Sequence, residues 1–309
     1  MSLAETQITK QQYDLAQLGD GAVFVKRTQD GRLKSVKGLI SLQERLGHLA
    51  EISGKIMITG AGFNELNKIA GISVITPDKL TLPDGQIVVN PFPIIDRQSG
   101  TIEKVWVKKM GIGYSPIGNL VITTSTLLYD INMYFIQDIA KKIQQSKAAG
   151  KVCLKSMLTE EELKKGIFHA IQGELGVWAD YSHADILKAL DTFIQNKLFA
   201  ERKAQTICER NVMKKHPALA VVNVLPDGPQ KARVARVPVI GFCHEFSKDD
   251  LLAMAQKVSA GEDVEADGQK AKVIDITAEV NEEDIQASTE DEETGAGAGE
   301  NTGGQVGMF

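Results

Sequence analysis

Residues 101–147 leave the backbone the fewest choices. From 101 to 110 the chain alternates, with Ile102, Val105 and Val107 interleaved by Glu103, Lys104, Trp106 and Lys108. A period of two is the signature of a strand with one face buried. The Gly-rich stretch 111–118 reads as a turn, 119–129 as the returning strand, and 130–147 as a helix. Asp130 is placed to cap that helix, and Tyr134, Ile136, Ile139, Ala140 and Ile143 give it an apolar stripe. A β-hairpin followed by a helix is therefore the expected centre of the fold.

Around this unit the signals are mixed. Short strands are predicted at 23–25, 55–58, 72–75 and 86–89. Helices are predicted at 35–52, where Val36, Leu39, Ile40, Leu46 and Leu49 recur at helical spacing, and at 62–70, closed by Gly71. Past Gly150 two start signals mark helices, Thr159 with Glu162 and Ser182 with Asp185. From Ala184 to His216 there is no Pro or Gly, which predicts one helix of about thirty residues or two in line. Strands at 219–225 and 231–240 flank the turn Pro226-Asp227-Gly228-Pro229, and a helix at 248–258 closes the body. The expected class is α+β: a small antiparallel sheet or β-hairpin packed on long helices, with a disordered acidic C-terminal tail.

The boundary of that tail comes from charge. Residues 1–260 hold 33 Lys and Arg against 26 Asp and Glu, a net of +7, whereas 261–309 hold 2 against 14, a net of −12. The chain thus reads as a basic body, 1–260, and a disordered tail, 261–309, broken by two apolar islands, Val273 to Ile276 and Met308-Phe309. A basic body suggests a polyanion partner, and its tail either a built-in competitor, a docking arm or a solubilising appendage.

Catalytic templates are missing. No phosphate-binding loop of the G-x-x-x-x-G-K-[ST] kind occurs, which disfavours ATP-driven chemistry. Cys153, Cys208 and Cys243 show no metal or disulfide spacing, and the five histidines are scattered. The carboxylates Asp96, Glu103, Asp130 and Asp138 have no recognisable nuclease spacing. A non-enzyme without cofactor or metal is expected. No signal peptide or membrane span is evident, so a cytoplasmic setting without membrane partners is expected too.

Two basic clusters remain. On a helix over 202–216, Lys203, Arg210 and Lys214 lie close to one face, with Ile207, Cys208 and Met213 as the opposing buried surface. Arg202 and Lys215 add charge to the same segment, and Gln205, Thr206 and Asn211 can donate neutral hydrogen bonds to phosphate or sugar. That face either tracks a phosphate backbone or is simply solvated. In the hairpin, Lys104, Lys108 and Lys109 bracket Trp106 and lead to Tyr114; a tryptophan among lysines either stacks a base or is a half-buried core aromatic.

The hairpin with its Gly111-Ile112-Gly113 turn and following helix, the later basic helix, and a tail containing Val-Ile-Asp-Ile-Thr-Ala-Glu (273–279) together resemble the phage and prophage single-strand annealing proteins of the RecT/Redβ superfamily. The resemblance spans residues 55–260 as architecture and the tail as composition. It implies ATP-independent binding of single-stranded DNA, annealing of complementary strands in phage-type homologous recombination, and homo-oligomeric rings or filaments. It makes Lys104, Lys108, Lys109, Lys203, Arg210, Lys214 and Lys215 phosphate contacts and Trp106 or Tyr114 a stacking or wedge residue. Separately, from its net −12 and its apolar islands, the tail is expected to screen the groove in the free protein or to dock a replication partner such as a single-strand binding protein or exonuclease. The alternative is a virion or scaffold protein that self-assembles without catalysis.

Overall fold

The computed structural model describes residues 23–27, 32–52, 54–220, 224, 226–244 and 246–277. The chain is α+β, built from small, mainly antiparallel sheets and helices, and divides into two compact units. The first comprises Met1–Asn90, Val107–Leu127 and Gln205–Phe309; the second comprises Pro91–Trp106 and Leu128–Ala204.

The first unit opens with β1 (Val23–Arg27) and β2 (Arg32–Gln43), which form an antiparallel sheet with β14 (Val234–Cys243) in the order β1-β2-β14. The helix expected at 35–52 is replaced by β2, a 3₁₀ turn at Glu44–Leu46 and the hairpin β3 (Leu49–Ile52)–β4 (Lys55–Ile58). The apolar positions there fit both periods, and long-range pairing decides between them. Ile40 and Leu42 sit opposite Val237 and Ala235 on the inner face, leaving Leu39 outside and 45% exposed. Helix α1 (Gly60–Ala70) lies on that inner face, started by Thr59, whose Oγ1 accepts from Gly62 N at 3.1 Å, and closed by Gly71 in the left-handed region. The helix comes so close that a Cβ at Gly241 would stand 1.6 Å from the Ile69 carbonyl oxygen.

Next come β5 (Ser73–Ile75) and the ribbon β6 (Lys79–Thr81)–β7 (Ile87–Val89). The expected hairpin is present as β9 (Ile102–Tyr114) and β10 (Leu120–Asp130), but its turn is 115–119. Gly111-Ile112-Gly113 lies inside β9 rather than in a turn. These glycines serve close packing: a Cβ at Gly111 would meet Val212 Cγ1 at 2.5 Å and Thr123 Oγ1 at 2.9 Å, and one at Gly113 would meet Ile72 Cγ1 at 3.2 Å. Val212 belongs to α5 (Ala200–Lys215), which covers one face of the sheet in this unit. Helix α6 (Lys248–Ser259) covers the other, burying Ile112, Tyr114 and Ile122 against Met254, Leu251 and Val258. Ser247 and Asp250 make its capping box.

The expected disorder from residue 261 onward is corrected for 265–277. These residues form β15 (Glu265–Ala266), β16 (Gln269–Lys270) and β17 (Lys272–Thr277). The apolar island Val273 to Ile276 is the reason: it adds a parallel strand to β10, giving the order β17-β10-β9-β5, and Thr124 Oγ1 donates to Asp275 Oδ1 at 2.6 Å. The rest of the tail, 278–309, lies outside the described residues, as does most of the strand expected at 219–225, where Leu219 and Ala220 are not in a strand.

In the second unit β8 (Phe92–Ile95) pairs with the first residues of β9. Helix α2 (Ile131–Gln145) begins at Asp130, whose side chain accepts from Met133 N at 3.1 Å. A three-stranded sheet, β11 (Gly150–Leu154), β13 (Leu175–Asp180) and β12 (Gly166–Gln172), packs Val177 and Ala179 on Phe135, Ile139 and Ile186 of α2 and α4 (Ala184–Leu198). Helix α3 (Glu160–Lys165) carries the Thr159/Glu162 capping box. At α4 the cap is His183, whose Nδ1 accepts from Asp185 N at 3.2 Å, because Ser182 instead donates to Asp180 Oδ1 at 2.6 Å. The long helical stretch is two helices, α4 and α5, separated at Phe199.

Candidate nucleic-acid interface

The basic helix α5 does not present the face expected of it. Lys203 and Arg210 are each 2% exposed and Asn211 5%, among buried Ala204, Ile207, Cys208, Val212 and Met213. Lys203 Nζ donates to Asn196 Oδ1 at 2.9 Å in the second unit. The helix is enclosed on nearly every side, so its charge reads as a surface in the sequence while packing makes it a core element. Only Arg202 and Lys215 are exposed, with Lys214 half-buried. With the fold intact, Lys203, Arg210 and Asn211 have no open face for a phosphate.

Lys109 and Tyr114 are corrected in the same way. Lys109 is 7% exposed and its ammonium binds Glu209 at 2.7 Å, a partner supplied by α5 where that helix crosses the strand. Tyr114 is 1% exposed, rings Phe242, His244 and Phe246 surround it, and its hydroxyl donates to Asp267. Burial first, and then the Asp267 carboxylate, push the phenol far above its ordinary pKa. It is a core residue, not a wedge. Cys208 is equally enclosed, with its thiol 3.3 Å from the Ser125 carbonyl oxygen and pushed up to about 11 by burial, so it stays protonated at neutral pH.

The half-buried residues, partly open to solvent, are those at the start of β9. In the second unit the strand alternates, with Val105 fully buried and Lys104 and Trp106 half-buried on the other face. Phe92 of β8 stands directly opposite Trp106, also half-buried, and Ile94 stands opposite Lys104. The result is an aromatic pair on a sheet surface with a cation beside it. Lys104 Nζ lies 2.9 Å from Asp130 Oδ2 and 3.9 Å from Glu103 Oε1, and the hydrogen bond to Asp130 raises its pKa. The other tryptophan, Trp178, is 7% exposed with its indole N–H donating to the Glu162 carbonyl at 3.0 Å.

In the first unit Lys108 lines a cleft of about 520 Å³ between the β6–β7 ribbon and α6, together with Lys79 and the apolar side chains of Leu252 and Ala255. Asn90 fixes the strand there: its Nδ2 donates to the Pro77 and Lys108 carbonyls at 2.7 and 2.8 Å, and Lys108 N donates to its Oδ1 at 2.9 Å. Phe92, Lys79 and Asn90 were invisible as site residues in the sequence. Phe92 is an isolated aromatic before a proline, and only the β8–β9 register brings it to Trp106. Among the described residues no group of His, Cys, Asp or Glu is arranged to hold a metal ion, and no helix is long and apolar enough to cross a membrane. No protein-family model, curated protein or solved structure matches the chain.

Proposed function

We propose that the chain binds single-stranded DNA and pairs complementary strands without ATP, as a cytoplasmic, non-catalytic annealing protein of phage-type homologous recombination that works as a ring or filament of copies. The observation that carries this reading is the half-buried Trp106, with Phe92 opposite it in register and Lys104 on the same sheet face. Aromatic faces stack on any base, which gives the sequence tolerance that annealing requires, and a neighbouring ammonium neutralises phosphate. A phosphate arriving there competes with Asp130 for Lys104 and releases counterions as it is neutralised, so binding weakens with salt. The net +7 of residues 1–260 adds long-range attraction for a polyanion. Two further features fit: a β-hairpin packed on a helix in the first unit, and an acidic segment, nine acidic and no basic residues over 278–309, available to a single-strand binding protein or exonuclease.

The test uses the two tryptophans separately. In a Trp178→Phe background, titration with oligo-dT quenches Trp106 fluorescence, and the full chain accelerates annealing of complementary labelled oligonucleotides without ATP in a salt-sensitive manner. If Trp106 emission is unmoved by oligo-dT at low salt and annealing stays at the protein-free rate, the reading is wrong. A self-assembling structural protein is the second reading. It is favoured by one feature of α4, where Leu187, Ile194 and Leu198, 49%, 48% and 68% exposed, follow one helix face.

A further inference from the structure

We infer that the acidic segment beginning at residue 278 docks in cis into the Lys79–Lys108 cleft of the first unit, with Glu279 to Ile285 as the part that seats. Three observations meet there. First, the cleft is anionophilic and half apolar. Neither Lys79 nor Lys108 has a carboxylate within ion-pair distance among the described residues, and Leu252, Ala255 and Ile87 line the same space. One carboxylate, Asp78, also lines it, without pairing to either lysine. Second, the chain is delivered to the cleft. Strand β17 ends with Thr277 in register with Thr126 of β10. The hairpin register, set by the Ser115 N to Asn119 O bond and the Thr123–Gly111 contact, carries Lys108 opposite Thr126. The segment therefore leaves the sheet two strands away from Lys108, about 10 Å. Residues 278–285 span up to about 25 Å when extended, so no long loop has to close.

Third, the composition of the segment matches the cleft. Glu279-Val280 and Glu282-Glu283-Asp284-Ile285 put carboxylates beside β-branched apolar side chains, and residues 278–309 contain no lysine or arginine. Tethering so near its site raises the effective concentration of the segment to the millimolar range, enough for contacts that would be weak between separate molecules. Docking neutralises two unpaired cations of the basic body, which makes the segment an internal competitor for polyanions at this cleft. The docking itself does not depend on the body being a DNA-binding protein.

Zero-length carbodiimide cross-linking of the full chain, read by mass spectrometry on an equal mixture of ¹⁴N- and ¹⁵N-labelled protein, tests it without DNA. Lys270–Asp263 and Lys68–Glu65, each 2.5 Å apart, serve as internal positive controls. The expected result is links from Lys108 or Lys79 to Glu279, Glu282, Glu283 or Asp284 within single-label copies. Their yield should fall about fivefold or more at molar salt, where exposed charges are screened beyond about 3 Å. A Lys79→Met/Lys108→Met chain, altered only at lysines that pair with no carboxylate, should keep the control links. It should also expose the segment to a protease cutting after glutamate several-fold faster. Control links without cleft links, cleft links only between differently labelled copies, or unchanged proteolysis in the double variant would each overturn the proposal.

Discussion

Strand β9 has two environments. Within the first unit its residues from Lys109 to Tyr114 are enclosed between α5 and α6, so that both faces are core and even Lys109 is buried, while Lys108 at the start of this stretch still opens onto the cleft beside α6. Within the second unit its residues from Ile102 to Trp106 keep one face buried at Val105 and the other half-open at Lys104 and Trp106. Both stretches carry lysines in an alternating apolar pattern. What separates them is whether a helix covers the second face, which local sequence does not encode. The enclosed stretch should answer to changes in volume and pH, and the half-open stretch to salt and ligands.

The sharpest way to break the comparison is to add volume. Gly111→Val places a branched side chain where even a Cβ stands 2.5 Å from Val212 Cγ1. We expect a loss of about 3 kcal/mol or more, from overpacking against a helix that cannot withdraw without exposing its buried face. Urea unfolding should show the midpoint falling steeply. In the half-open stretch, Trp106→Phe should cost about 1 kcal/mol or less. Similar losses at both positions would mean that the two stretches are packed alike.

Acid should act on the enclosed stretch next. His216, at the end of α5, is fully buried, with Nε2 3.4 Å from the Val121 carbonyl oxygen and Nδ1 accepting from Ala218 N at 3.2 Å. Burial lowers its pKa to about 4, against the ordinary 6.5 of the unfolded chain. Between those values the unfolded chain binds the proton and the folded one does not, so stability is complete above about pH 6.5 and is lost as pH falls toward 4. The loss is about 3 kcal/mol for a shift of that size. His48 and His169, also lowered by burial, act in the same direction. Denaturant midpoints at pH 7, 5.5 and 4.5 should decline, and His216→Gln should flatten the decline. A midpoint independent of pH over that range would mean that His216 is solvated.

These expectations show where the sequence was legible. The hairpin, the helix capped by Asp130, α6 and the capping box at Thr159 announce themselves because local pattern and final environment agree. The α+β class follows from them. Residues 35–52 misled because Leu39, Ile40 and Leu46 satisfy a helical period, and only pairing with β14, some two hundred residues away, selects the strand. The glycines of Gly111-Ile112-Gly113 looked like a turn because sequence cannot say that a helix crosses there. Of the basic residues singled out, Lys203, Arg210 and Lys109 became core, since burial of a cation depends on tertiary packing: Asn196 of the preceding helix meets Lys203, and Glu209, a hundred residues on, meets Lys109. Trp106 and Lys104 stayed half-open, and their partner Phe92 was found only through strand register.

The remaining contrast lies between the two lysine pairs of the strand. Lys109 is sealed against Glu209 at 2.7 Å, with side chains 9% and 33% exposed, whereas Lys104 meets Asp130 at 2.9 Å with 33% and 18% exposed. Removing one partner of the sealed pair leaves a charge with little water, so Glu209→Gln should cost about 1–2 kcal/mol. Lys104→Gln should cost about 0.5 kcal/mol or less, because water replaces the ammonium at Asp130 and the Asp130 cap on α2 is untouched. Salt separates the pairs further: molar sodium chloride should shrink the Lys104 effect toward zero and leave most of the Glu209 effect in place. If both effects fell together with salt, Lys109 would be as accessible to solvent ions as Lys104. The enclosed stretch of β9 would then be open enough for Lys109 to return to the set of phosphate contacts.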